Sequence, residues 1–277
     1  MRAPRAATDW AQDLLSNGFV GRLLAAVGGI AALLGLLQVI APVATAKIPR
    51  IASPLFLAAS VILLTLLVVY YSRPTRRITY GFRGLSAWNI TIKRGDLFLS
   101  ESGIVVTADR LASTARDVVG DYALVNLLVE RWFDGSVADL DMAIGLPSQR
   151  VDLLPAGKTL PFTRSGRRGW LLCLAEPTDQ GPRTTWQDLH AAYDELWIAL
   201  RKTNVPRIAV PVIGSGYARA QLSLEGLLHL MLLSYHSASL TGRVAADLEI
   251  IVSERDYRPI VLTTAGRLLS ALGYRMQ

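Results

Sequence analysis

With one cysteine in 277 residues, the chain can form no internal disulfide and no metal site built from several thiolates. Cys173 lies in the apolar run Trp170-Leu-Leu-Cys-Leu174, where a buried thiol in a reducing compartment is the simplest reading. Histidine is nearly as scarce. His190 stands alone on one predicted helix, and His229 and His236 lie seven apart on another. No carboxylate or thiol joins them at ligand spacing, so they are expected to be packing or surface residues, with no metal bound. Charge is also in short supply: 18% of residues are charged and 51% are hydrophobic, giving a mean hydropathy of +0.34. That balance is high for a soluble chain of this length and calls for membrane segments. Repeats and low-complexity tracts are absent.

The net charge of +7 is confined to one end. Through Arg83 the chain carries Arg2, Arg5, Arg22, Lys47, Arg50, Arg73, Arg76, Arg77 and Arg83 against only Asp9 and Asp13, and beyond it 20 basic residues meet 20 acidic ones. A globular domain built to bind nucleic acid would hold the excess itself, so no nucleic-acid partner is expected. The basic end is also the apolar end. Residues Leu23 to Ala46 contain no charged side chain, and Ser53 to Ser72 form a second such run that opens with Pro54 and closes with Tyr70 and Tyr71. Each is long enough to cross a hydrocarbon core of roughly 30 Å as a helix. A signal peptide fits poorly, because the first run begins late and a second follows at once.

These runs predict a two-helix transmembrane hairpin over residues 21–72, after a short segment 1–20 and before a basic linker 73–87. The basic flanks place both termini in the cytoplasm and the Lys47 to Arg50 turn outside. Gly21, Ala25 and Gly29 recur at every fourth position, a spacing that permits close helix packing within the hairpin or between subunits.

From residue 88 to 277 the pattern changes to alternating strands and helices. Trp88 to Lys93 has period two, Gly103 to Thr107 is a short apolar run, and Tyr122, Val125, Leu128, Val129 and Trp132 fall at helical spacing. Gly157 to Phe162 and Trp170 to Ala175 flank Ser165-Gly166 as a hairpin. A helix capped by Thr184 or Thr185 runs to about Lys202, then come a strand Ile208 to Ile213, a helix Gln221 to His236, a strand Asp247 to Val252 and a helix from Thr263 or Thr264 towards Tyr274. An α/β sandwich with a mixed sheet is expected.

The stretch with most chemical content is Ile208-Ala-Val-Pro-Val-Ile-Gly-Ser-Gly-Tyr-Ala-Arg219. A strand ending in Gly-Ser-Gly before a helix leaves backbone N–H groups and a helix N-terminus facing an anion such as phosphate. The third glycine of a dinucleotide fingerprint is replaced by Arg219, so a Rossmann site is disfavoured. Gly157-Lys158-Thr159 imitates a P-loop, but Asp152 stands at its first glycine and Leu160-Pro161 blocks the helix that must follow, so a turn into a strand is expected. Ser215 lacks the spacing of a nucleophile elbow.

Gly95-Asp-Leu-Phe98 and Pro211-Val-Ile-Gly-Ser-Gly-Tyr217, in this order and spacing, resemble the early Gly-Asp-Ile motif and late phosphate loop of macro domains, modules that bind ADP-ribose and related nucleotides. The resemblance spans about residues 88 to 257. It implies a macro-like α/β/α fold, adenine at Asp96, diphosphate over Gly214 to Gly216 and the distal ribose beside Tyr217. Ligand contacts are thereby expected at Gly95, Asp96, Thr107, Pro211, Ile213, Gly214, Ser215, Gly216 and Tyr217. Where hydrolytic macro domains carry an Asn-rich loop, this chain reads Thr107-Ala-Asp-Arg-Leu-Ala-Ser-Thr114, which favours binding without turnover and assigns no catalytic residue. A membrane hairpin joined to a divergent macro domain resembles the membrane effectors of Thoeris-type antiphage systems. There a TIR-domain partner makes an ADP-ribose-derived signal, and the effector oligomerises and disrupts the bacterial inner membrane. A membrane-tethered ADP-ribosylhydrolase or nucleotide phosphodiesterase, or a passive anchor, are the alternatives.

Overall fold

The computed structural model describes residues 77–83, 87–112, 123–146, 152–178, 181–216 and 222–277. The proposed hairpin, residues 21–72, and Tyr217 lie outside the described residues. Among the described residues no helix is long and apolar enough to cross a membrane.

Eight strands form one sheet: β1 (Arg77–Arg83), β2 (Ala87–Arg94), β3 (Gly103–Asp109), β4 (Thr159–Arg164), β5 (Arg167–Ala175), β6 (Arg207–Pro211), β7 (Asp247–Val252) and β8 (Arg275–Met276). Their order across the sheet is β4-β5-β3-β6-β7-β2-β1-β8. The five central strands, β5 to β2, run parallel, while β4, β1 and β8 pair antiparallel at the two margins. The expected mixed sheet is therefore present.

Alternation along the strands assigns each side chain to one of two cores. Val105, Leu172, Leu174, Ile208, Val210, Ile250 and Val252 enter one apolar cluster, and their neighbours Ile104, Val106, Leu171, Cys173, Ala209 and Ile251 enter the other. Helices α1 (Leu124–Trp132) and α2 (Val137–Ile144) cover the second face; α3 (Trp186–Thr203), α4 (Leu224–Thr241) and α5 (Pro259–Ala271) cover the first. The result is an α/β/α sandwich, with Cys173 fully buried as the sequence implies.

Local chemistry explains most boundaries. Ser165 (φ 50°) and Gly166 (φ 77°) turn β4 into β5 with Arg164 opposite Arg167, the two-residue hairpin geometry that matches strand twist. Gly157 (φ +86°) packs against α3 so closely that a Cβ would stand 2.7 Å from the Ala191 carbonyl oxygen. The P-loop-like tripeptide is thus a turn leading into β4. At the start of α3, the Thr185 hydroxyl accepts from the Asp188 N–H at 3.2 Å while the Asp188 carboxylate accepts from the Thr185 N–H at 2.9 Å. This capping box satisfies two helix-end donors. Thr185→Ala is expected to cost about 1 kcal/mol, read as a fall in melting temperature of about 2–4 °C.

Several expectations are corrected. The basic linker contains β1, whose Ile78 and Tyr80 alternate into the core while its backbone pairs with β2 from Ala87 to Lys93. Helix α2, capped by Ser136 and stopped by Gly145 at φ 69°, has no counterpart in the sequence reading. Helix α4 begins at Leu224 after its Ser223 cap and runs on to Thr241. Helix α5 starts at Pro259, not at Thr263 or Thr264, because proline suits the first turn where no N–H partner is needed.

Candidate functional site

The parallel strands β2, β7, β6 and β3 present their C-terminal ends together, the edge where ligands bind in open α/β sheets. After β6, the chain turns through Val212 and Ile213 into Gly214, whose φ of +87° puts it in the left-handed region that glycine alone enters without cost. A Cβ on Gly214 would lie 3.1 Å from Leu189 Cδ2 of α3 and 3.2 Å from Leu227 Cδ2 of α4. The turn therefore sits directly on the helix layer beneath it. Ser215 closes the turn, its N–H and hydroxyl both donating to the Val212 carbonyl at 3.2 and 2.7 Å. With its hydroxyl so engaged, Ser215 is held as a structural residue of the turn. Gly216 is exposed, with nothing within 4 Å of a Cβ built on it.

Gly214 and Ser215 form one wall of an open cleft of about 300 Å³. The N-terminal end of α4 supplies Leu222, Leu224, Glu225 and Leu227, and the loop after β7 supplies Arg255, Asp256 and Arg258. The first amides of α4 lack intrahelical acceptors. The Ser223 hydroxyl takes one of them, that of Gly226, at 3.1 Å. A helix N-terminus, two arginines and two acidic residues thus line the cleft, a set suited to phosphate and to hydroxyl groups.

Asp96 is close to this edge but not in the lining of the cleft. Gly95 follows β2 and its N–H donates to the Val252 carbonyl at 3.0 Å, tying the end of β2 to the end of β7. Asp96 caps a 3-10 turn, Leu97–Leu99; its carboxylate accepts from the Phe98 N–H at 3.0 Å and forms an ion pair with Arg131 of α1. The loop after β7 spans the interval between the two places. Glu254 pairs with Arg94 at 3.2 Å, and the Arg94 guanidinium lies 5.5 Å from the Tyr257 ring centroid.

The remaining expected contacts separate by face. Pro211 ends β6 opposite Ile251, and Ile213 is wholly buried in the core beneath α3 and α4, so Ile213 has only its backbone to offer a ligand. Thr107 lies near the C-terminal end of β3 in register with Leu172, half-buried. Arg255, Asp256 and Arg258 were not singled out by the sequence reading, whereas the N-terminus of the helix after the glycine turn was. The charged run Ser253-Glu-Arg-Asp-Tyr-Arg258 directly after a strand was the available signal.

His236 stands away from the cleft edge of β2. Its Nδ1 is 3.2 Å from the Tyr274 hydroxyl, which accepts from the Trp88 indole N–H at 2.8 Å, and Trp88 is at the opposite end of β2 from Gly95. Burial lowers the pKa of His236 and pushes that of Tyr274 up to about 12. Among the described residues no group of His, Cys, Asp and Glu is placed to hold a metal ion.

The profile of the family described as Thoeris protein ThsA, macro domain, matches residues 90–253, more than half of the chain. The chain belongs to this macro-domain family. The matched span runs from within β2 to just past β7 and contains Asp96 and the Gly214 turn. No curated protein matches. Among solved structures, a macrodomain mutant from Oceanobacillus iheyensis aligns at 13% identity with a TM-score of 0.49, covering 70% of this chain and 97% of that one. A Trypanosoma brucei macrodomain in complex with ADP-ribose aligns at 11% identity and a TM-score of 0.47, covering 65% and 68%.

Proposed function

We propose that the macro domain is the cytoplasmic sensor of a membrane effector in antiphage defence, and that it binds an ADP-ribose-derived nucleotide made by a TIR-domain partner. The observation that carries the reading is the left-handed Gly214 turn, which opens at the C-terminal end of β6 onto a cleft walled by a helix N-terminus and two arginines. The diphosphate lies against this turn and adenine lies towards Asp96. Membership of a Thoeris macro-domain family supports the defence role. The apolar runs Leu23 to Ala46 and Ser53 to Ser72 support insertion in the bacterial inner membrane with both termini in the cytoplasm.

Occupancy of the cleft shifts the protein towards an assembled form that disrupts the membrane. A ligand does this only by binding the assembled form more tightly than the resting one. Ser215 donates its hydroxyl to a carbonyl rather than presenting it to a base, which supports sensing without turnover. Titration calorimetry of the full chain with ADP-ribose derivatives, followed by chromatography of the recovered ligand, tests the proposal. Binding with unchanged ligand is the expected result. Turnover would establish a hydrolase, and the absence of binding would leave a passive anchor.

A further inference from the structure

The arginines of the loop after β7 differ from those that the fold ties into ion pairs. Arg94, Arg110, Arg131, Arg164 and Arg207 each have a carboxylate partner at salt-bridge distance. Among the described residues, none of the ion pairs involves Arg255 or Arg258. The acids nearest in sequence are committed elsewhere: Glu254 pairs with Arg94, and the Asp256 carboxylate accepts from the Ser253 hydroxyl at 2.8 Å. Both arginines nevertheless line the same cleft as Gly214 and Ser215. Glu225 is the one lining carboxylate without such a side-chain partner among the described residues, and it lies in the first turn of α4, where it complements the helix dipole.

Cleft size adds a second constraint. About 300 Å³ is at the lower end for a small-molecule site, so the cleft holds part of a dinucleotide-sized ligand and not the whole. The part that suits two arginines lining one cleft with a glycine turn and a helix N-terminus is a phosphate group, since arginine offers a planar fork of donors to its oxygens.

Resting on the nucleotide reading above, we infer that Arg255 and Arg258 clamp a phosphate of the ligand in the cleft they share with the glycine turn. They are specificity-determining residues: affinity depends on the ligand's phosphate charge, and adenosine without phosphate is held weakly. The dependence is screened as salt rises.

Thermal denaturation of the full chain, wild type against the Arg255→Gln, Arg258→Gln double variant, is followed with pyrophosphate and separately with ADP-ribose. The double variant is expected to need at least about tenfold more of either ligand for the same rise in melting temperature. Lysine at both positions restores part of the pyrophosphate response, because it returns the charge without the fork. Superimposable pyrophosphate curves for wild type and double variant overturn the clamp, as does a wild type that responds to no anion. A pyrophosphate response lost in the variant, with no ADP-ribose response in either protein, leaves the clamp in place and removes the nucleotide reading. Equal ADP-ribose binding by both proteins removes the clamp and leaves that reading standing.

Discussion

Gly214→Val is expected to abolish ADP-ribose binding and to lower the stability of the macro domain. Two independent costs coincide at this position. A β-branched residue at φ +87° is strained by about 1–3 kcal/mol. Its Cβ would also stand 3.1 and 3.2 Å from methyl carbons of Leu189 and Leu227, and both leucines are almost wholly buried, so the core must shift to admit the γ-methyls. Overpacking of this kind costs about 1–3 kcal/mol more. Relief of the strain would rotate the turn and redirect the amides that face the cleft. Gly216→Val separates the two effects, because Gly216 is exposed with open space around it and adds no clash. Denaturation midpoints are expected to fall for the Gly214 variant and to hold for the Gly216 variant, while calorimetric affinity falls for both. A Gly214 variant that binds as wild type does would remove the turn from the site.

Asp96→Ala is expected to weaken ADP-ribose binding by about 10- to 150-fold, the range of a hydrogen bond to a charged group worth about 1.5–3 kcal/mol. The carboxylate is positioned by its own backbone contact: one oxygen accepts from the Phe98 N–H, and the other faces Arg131. These two contacts hold the carboxylate in place, and on the proposed reading it accepts from the exocyclic amine of adenine. The loss of fold stability is expected to stay below that of the Gly214 variant. The cap belongs to a three-residue turn, and the ion pair is partly exposed at 42% and 33% of the two side chains, where solvent screens it. Comparing ADP-ribose with its hypoxanthine analogue isolates the base contact. Wild type is expected to prefer adenine, and the variant to lose the preference. A variant that keeps the preference would mean that another group reads the base.

Local rules made much of the fold readable. Thr185 and Asp188 announce a capping box three residues apart, Ser165-Gly166 announces a hairpin, and Ile90 and Ile92 alternate with polar neighbours on β2. The strand β1 was hidden by its composition: Arg76, Arg77 and Arg83 read as a linker flanking a membrane span, although Ile78, Tyr80 and Phe82 alternate through the same residues. Helix α2 is too short for its period to stand out, and only its Ser136 and Gly145 ends mark it.

The site divides in the same way. Gly214 was legible because glycines after an apolar strand free the backbone for a tight turn whatever surrounds it. Arg255 and Arg258 were not, since a charged run reads as a solvated loop until β7 is known to lie beside β6, which brings that loop to the glycine turn. The pairing of Asp96 with Arg131 joins residues 35 apart in the chain, and no local pattern encodes it. Ile213 differs: its place within the motif suggested a contact, but the turn after β6 sends its side chain into the core, leaving only its backbone to a ligand.

Hydrogen exchange of the full chain with and without saturating ADP-ribose tests most directly whether a nucleotide sits at the glycine turn. Slowed exchange is predicted in peptides covering Gly95 to Phe98, Gly214 to Gly216 and Arg255 to Arg258, with the helix faces remote from the cleft unchanged. Bound ADP-ribose that leaves the Gly214 turn exchanging at its free rate would contradict it.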